Sequence, residues 1–193
     1  MGRTTARILI GVALLATLGA VSSSIPTDVV VDGGTPAQQR LVGWALGRYA
    51  DEGFDLPHLE IHFSDDRVDC AEHLGYYEDG AIWFCHPGTS EMAARGIVHE
   101  IAHAWIDAVV PDDVRARFVT LRGLATWNDW DVPWDDRGSE QAAEIVAWAV
   151  GDQADGIRAP SFPENTRPEL AIAYRALTGR ALPHLRPSEL WIS

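Results

Sequence analysis

The stretch His99-Glu100-Ile101-Ala102-His103, with the pattern H-E-x-x-H, decides how this chain folds and what chemistry it can hold. Apolar residues flank the stretch and predict a helix over Glu91–Val109. Residues four apart lie on one face of a helix, so His99 and His103 can direct two imidazoles at one metal ion. Glu100 lies about 100° round the helix, where it can reach a water on that metal. The motif therefore predicts a catalytic metal centre, with Zn²⁺ as its ion.

Two histidines leave this predicted centre one ligand short, because catalytic zinc sites take three protein ligands and a water. The metzincin pattern would need Gly at 106 and His at 109, and this chain has Ile106 and Val109 there, which excludes that class. A second predicted helix downstream offers Glu140 and Glu144, one turn apart on one face. From the residues alone, Glu140, Glu144 and Asp107 all stay open as the third ligand.

The motif and the downstream Glu pair together resemble the gluzincin metallopeptidases, the thermolysin-like clan in its small, single-domain form. The resemblance covers about residues 82 to 150. It implies that Glu140 is the third zinc ligand and that Glu144 orients a ligand histidine. A carboxylate in that second place has a physical reason, since a metal-bound imidazole usually donates its other N–H to a carboxylate or a carbonyl.

The resemblance also implies an activity, the hydrolysis of peptide bonds in a peptide or protein substrate. A zinc ion lowers the pKa of its bound water toward about 7, and Glu100 would act as general base and then pass the proton to the leaving nitrogen. The oxyanion needs a further donor. Arg137, three residues before Glu140, is predicted in that catalytic role, and Tyr174 and His184 are the other candidates.

The N-terminus predicts an export signal. Arg3 and Arg7 precede an uncharged run over residues 8–21, and small residues follow it. The run is shorter than the roughly 20 residues of a membrane span, so a cleaved signal over residues 1–24 is favoured, followed by one domain over residues 25–193. A secreted or extracytoplasmic location follows. An uncleaved anchor through residues 8–21 stays the alternative, and membrane attachment is expected only in that case.

Export changes the expectation for Cys70 and Cys85, the two cysteines of the chain. An isolated pair in an oxidising compartment usually forms a disulfide. Asp79-Gly80, between β-branched and aromatic residues, predicts a β-hairpin whose outer ends this disulfide would join. The alternative is a metal site that uses both cysteines together with His73 and His86.

Composition and charge bound the partners. The 193 residues carry a formal net charge of −13 and contain Arg as their only strongly basic residue type. A field of that sign disfavours nucleic acid and anionic membrane surfaces, so neither is expected as a partner. We expect a monomer with one core.

The pattern of elements predicts an α+β fold, in which a small, mostly antiparallel sheet packs on the H-E-x-x-H helix and the C-terminal half is helical. Ser139 is predicted as the N-cap of the helix that carries Glu140. Trp127, Trp130 and Trp134 precede that helix and predict either packing or a wall of the substrate cleft. A function of another class stays open, namely a secreted binding domain on the same scaffold with a structural zinc ion or no activity.

Overall fold

The computed structural model describes residues 28–66, 70, 73–85, 88–151, 153 and 165–184. The predicted signal or anchor over residues 1–24 lies outside this range. Within it, no helix has the length and apolar character needed to cross a bilayer. The elements, in chain order, are β1 (Val29–Asp32), α1 (Pro36–Asp51), β2 (Leu59–Phe63), β3 (Gly75–Glu78), β4 (Ala81–Phe84), α2 (Glu91–Val109), α3 (Asp112–Arg122), a 3₁₀ helix (Trp134–Asp136), α4 (Gly138–Val150) and α5 (Arg167–Thr178).

The four strands form one mixed sheet in the order β1-β2-β4-β3. β2 runs parallel to both β1 and β4, and β3 runs antiparallel to β4. A mixture of helices with a small sheet is confirmed, but the prediction of a mostly antiparallel sheet is wrong. The physical reason is α1, which lies between β1 and β2 in the chain. This helix returns the chain to the end of the sheet where β1 began, so β1 and β2 run in the same direction.

The predicted hairpin is confirmed as β3 and β4. Asp79 and Gly80 connect the two strands, and both have positive φ, 47° and 88°. A two-residue turn of this kind matches the twist of an antiparallel pair. The disulfide between Cys70 and Cys85 is also confirmed, and the Cys85 N–H donates to the Leu74 carbonyl at 2.9 Å. The disulfide is consistent with an extracellular location.

The sheet packs closely on α2 because glycines make room for one aromatic ring. Phe84, at the end of β4, is buried, and so are Leu59 and Ile61, which alternate along β2. A Cβ added at Gly75 would lie 2.9 Å from Phe84 Cδ2, and one at Gly96 would lie 3.1 Å from Phe84 Cε2. A larger residue at Gly96 would push the sheet away from α2, and a larger residue at Gly75 would displace the Phe84 ring within the sheet.

The helix α4 begins at Gly138, two residues earlier than predicted, so the prediction of Ser139 as its N-cap is wrong. No side chain caps this helix. Its first N–H groups, those of Gly138 and Ser139, donate instead to the carbonyls of Thr126 and Trp127 at 3.2 and 2.8 Å. These bonds satisfy amides that a helix leaves unpaired at its start, and they fix the preceding loop against α4.

Candidate metal centre

The helix α2 provides the base of the site. Ser90 caps it, since its hydroxyl accepts from the Ala93 N–H at 3.1 Å, and the predicted bounds Glu91–Val109 are confirmed. One turn separates His99 from His103, and their rings lie 4.7 Å apart between centroids. Tyr49 of α1 donates its hydroxyl to the Val98 carbonyl at 2.6 Å. This bond anchors the helix one residue before its first histidine.

The helix α4 brings two carboxylates to α2. Ala142 and Ala143 are fully buried, so the backbones of the two helices can approach closely. Glu140 faces both histidines, while Glu144, one turn later, faces only His99. The later residue of α4 thus contacts the earlier part of α2, which shows that the two helices pack antiparallel.

Three electron-pair donors converge between these helices. His99 Nε2, His103 Nε2 and Glu140 Oε2 form a triangle with sides of 3.0, 3.1 and 3.2 Å. A single proton can bridge two such atoms but cannot satisfy all three at once. A cation within bonding distance of the three can do so.

The triangle fits the donor set and spacing of a metal site. Two imidazole nitrogens and one carboxylate oxygen form a set found in catalytic zinc centres. Tetrahedral bonds of about 2.0–2.1 Å place ligand atoms about 3.3 Å apart, close to the sides observed here. The group His99, His103 and Glu140 can thus bind a metal ion, and the geometry alone does not specify which one.

Charges within the group stabilise one another. Glu140 is largely buried, which alone would raise its pKa, but the adjacent His103 and His99 hold the pKa of this carboxyl well below its usual range. Burial alone would lower the pKa of His103, and Glu140 outweighs it, so the net pKa is raised. The carboxylate therefore stays ionised and available as a ligand.

Glu100 lies outside the triangle but close enough to interact electrostatically with His99, His103 and Glu140. It is buried, and burial is the main cause that raises the pKa of its carboxyl, while His99 and His103 oppose this rise. His73, just before β3, also lies near enough to lower the Glu100 pKa. A carboxylate with a raised pKa beside a metal group has the properties of a general base.

Glu144 contacts His99 at Nδ1, the ring nitrogen that does not belong to the triangle. Its Oε2 accepts from His99 Nδ1 at 3.1 Å, and its Oε1 contacts the guanidinium of Arg95. The structure therefore places Glu140 at Nε2 of His99 and Glu144 at Nδ1 of the same ring. Arg95 was not expected from the sequence, although its position one turn before His99 on α2 was a signal that could have found it.

Asp107 lies outside the group. It is exposed, accepts from the Tyr77 hydroxyl at 3.3 Å and pairs with Arg115 at 3.5 Å. The contact with Tyr77 joins β3 to α2 one turn beyond His103. Asp107 therefore links the edge of the sheet to the helix rather than completing the triangle.

The three candidates for an oxyanion donor lie in different surroundings. The Arg137 guanidinium donates to the carbonyls of Trp130 and Val132 at 3.2 and 3.0 Å, so it holds the loop before α4. Tyr174 is buried, and this burial is the main cause that raises the pKa of its hydroxyl to about 12. His184 follows Pro183, whose carbonyl accepts from Gln153. Gln153 lies beyond the end of α4 at Val150, which is itself about 15 Å along the helix from Glu140. The catalytic role of Arg137 stays a prediction.

The three tryptophans of that loop divide between packing and exposure. Trp127 packs on Phe118 with ring centroids 6.1 Å apart. Trp130 is 75% exposed, and its ring lies under the Arg137 guanidinium. Trp134 is 40% exposed, and its ring centroid lies 6.1 Å from that of His99. Trp134 therefore borders the metal group, as a cleft wall would.

The alternative metal site on the cysteines is not formed. Cys70 and Cys85 are bonded to each other, so neither offers a thiolate. His86, which completed that alternative, lies outside the described residues.

The chain was compared with protein-family models, with curated proteins and with solved structures, and none of the three comparisons found a match.

Proposed function

We propose that this chain is an exported zinc-dependent metallopeptidase of the gluzincin type, which hydrolyses peptide bonds in a peptide or protein substrate. One observation carries the proposal, the convergence of His99 Nε2, His103 Nε2 and Glu140 Oε2 within 3.0–3.2 Å beside a buried Glu100. Structural metal sites have no need of a free carboxylate next to the ion, whereas hydrolysis requires a base there.

The residues of the chain divide the reaction between them. His99, His103 and Glu140 would hold a zinc ion, which would supply Lewis-acid chemistry and lower the pKa of a water at the site toward about 7. Glu100 takes the proton of the attacking water and delivers it to the nitrogen that leaves. Burial raises the pKa of Glu100, which favours uptake of the proton from the attacking water.

The hairpin offers a place for the substrate backbone. β2 and β3 flank β4, so the backbone of Ala81–Phe84 is paired on both sides, while β3 forms an edge of the described sheet. Gly75 contacts Phe84, which lies against Gly96, and Tyr77 reaches Asp107, so β3 passes along α2 over the motif. A peptide that pairs with β3 as an added strand would lie across the metal group.

The direct test is the substitution Glu100→Gln. The amide keeps the shape of the side chain but cannot act as a base, so we expect zinc content equal to that of the wild type and peptide cleavage lower by about 10²- to 10⁴-fold. Zinc content is measured by atomic emission, and cleavage is measured on a broad peptide library, with a chelator as control.

Full activity of the Glu100→Gln variant would contradict the proposed mechanism. Wild-type protein that binds zinc and cleaves no peptide in the library would favour the other class of function, a secreted binding domain with a structural zinc ion.

A further inference from the structure

Arg95 is partly exposed and contacts Glu144, the carboxylate that is hydrogen-bonded to His99 of the metal group. It lies on α2 one turn before His99, and its guanidinium contacts Oε1 of Glu144 on the neighbouring helix. The other oxygen of that carboxylate accepts from His99 Nδ1 at 3.1 Å. The three side chains form a relay that runs from solvent to the metal ligand.

The relay has a clear energetic reason. Only 4% of the Glu144 side chain is exposed, whereas Arg95 is 29% exposed. A carboxylate buried to that extent is costly unless a cation and hydrogen bonds compensate it. Arg95 supplies the compensating charge from a position that still touches water, where the cost of burying the cation itself is small.

The relay also fixes how His99 presents its nitrogens. When Nδ1–H donates to Glu144, the neutral ring carries its lone pair on Nε2, the atom that belongs to the triangle. Without this bond, the ring is free to take the other tautomer, in which Nε2 carries the proton and cannot bind a metal. The orientation of Glu144 therefore controls the fraction of molecules in which His99 Nε2 is unprotonated and able to bind a metal ion.

We propose that Arg95 is a positioning residue of the metal centre, which acts through Glu144 to hold His99 as a metal ligand. The inference rests on the metal group of the proposed function, but not on peptide hydrolysis. It adds Arg95, a cationic residue outside the H-E-x-x-H motif, to the residues that set the affinity for the metal ion.

The experiment is a zinc titration against a competing chelator with metal-free full-length protein. We expect Arg95→Met to weaken zinc binding by about 10-fold or more, and Glu144→Gln by about 10- to 100-fold, as loss of an outer partner typically does. Arg95→Lys keeps the charge and should lose less affinity than Arg95→Met. Because Arg95 acts through Glu144, adding Arg95→Met to the Glu144→Gln variant should cost no further affinity.

Arg48→Met is the matched control. Arg48 donates to the carbonyls of Val150 and Gly151 at the far end of α4, so its loss weakens the same helix without touching the relay. We expect this variant to lose stability to denaturant while it binds zinc as tightly as the wild type. An equal loss of affinity in both arginine variants, additive effects of Arg95→Met and Glu144→Gln, or unchanged affinity in Arg95→Met would each overturn the proposal.

A second readout separates this proposal from the proposed function. In metal-free protein, crystal structures of the wild type and of Arg95→Met report the distance between His99 Nδ1 and Glu144 Oε2. We expect the 3.1 Å contact in the wild type and its loss in Arg95→Met. If the wild type binds no zinc, the proposed function fails, and this distance alone decides on Arg95: the same contact in both proteins would overturn its role.

Discussion

At the scale of single residues, His99 holds the centre of the site because its two ring nitrogens have different neighbours. Nε2 joins the triangle with His103 and Glu140, and Nδ1 faces Glu144. The ring is therefore held from both sides, whereas His103 contributes through Nε2 alone among the contacts described. Affinity for a metal should depend on the carboxylates at both positions, and to different extents.

The substitution Glu140→Gln tests the carboxylate that contacts Nε2 of both histidines. The amide removes the negative charge that both histidines contact, so we expect zinc affinity to fall by more than the roughly 10- to 100-fold cost of losing an outer partner. Chelator competition measures this loss. Glu91→Gln is the control, because it also removes an acid from the first turn of a helix. Equal affinities for Glu140→Gln and the wild type would remove Glu140 from the ligand group.

Residue chemistry was predictable from the sequence where the signal was local. His99, Glu100 and His103 stand in one motif, and the spacing of Glu140 and Glu144 places both on one helix face. Arg95 was not predicted, and Trp134 was predicted only as either packing or a cleft wall, because their contacts with Glu144 and His99 depend on how α4 and its loop approach α2. Sequence spacing carries no information about that approach.

At the scale of elements, α2 is the part of the fold that the sequence predicted best. Its bounds Glu91–Val109 were predicted from apolar residues, and the structure adds Ser90 as the N-cap, which is an equally local signal. The direction of the strands was predicted poorly, because a period of two indicates a half-buried strand without saying which neighbour it pairs with. The start of α4 at Gly138 also escaped prediction, since backbone carbonyls of the loop replace a side-chain cap.

Ser90→Ala tests the cap of α2. The substitution removes the acceptor of the Ala93 N–H, so we expect the free energy of unfolding to fall by about 1 kcal/mol. Urea denaturation measures the change, and Ser90→Asp, which restores an acceptor at this position, should recover most of it. Equal stability of all three proteins would show that the cap contributes nothing.

At the scale of the whole molecule, the disulfide joins the segment before β3 to the end of β4. It closes a loop of the chain that contains the hairpin over α2, so it restrains the part of the sheet nearest to the motif. The disulfide between the cysteines is consistent with the extracytoplasmic compartment predicted from the N-terminus.

Replacing Cys70 and Cys85 together by Ser should lower the free energy of unfolding by about 3 kcal/mol, because the unfolded chain regains the entropy of a loop of about 15 residues. Guanidinium denaturation with and without a reductant measures this effect. The reductant should destabilise the wild type and leave the double variant unchanged. A wild type whose stability is the same in both conditions would contradict a stabilising role for the bond.

Anomalous X-ray scattering from crystals of the zinc-loaded protein, recorded on both sides of the zinc absorption edge, tests the metal centre most directly. The predicted result is one strong peak bonded to His99 Nε2, His103 Nε2 and a Glu140 carboxylate oxygen, at about 2.0–2.2 Å from each. The absence of a peak between α2 and α4, or a peak on other residues only, would contradict the assignment of this group as the metal centre.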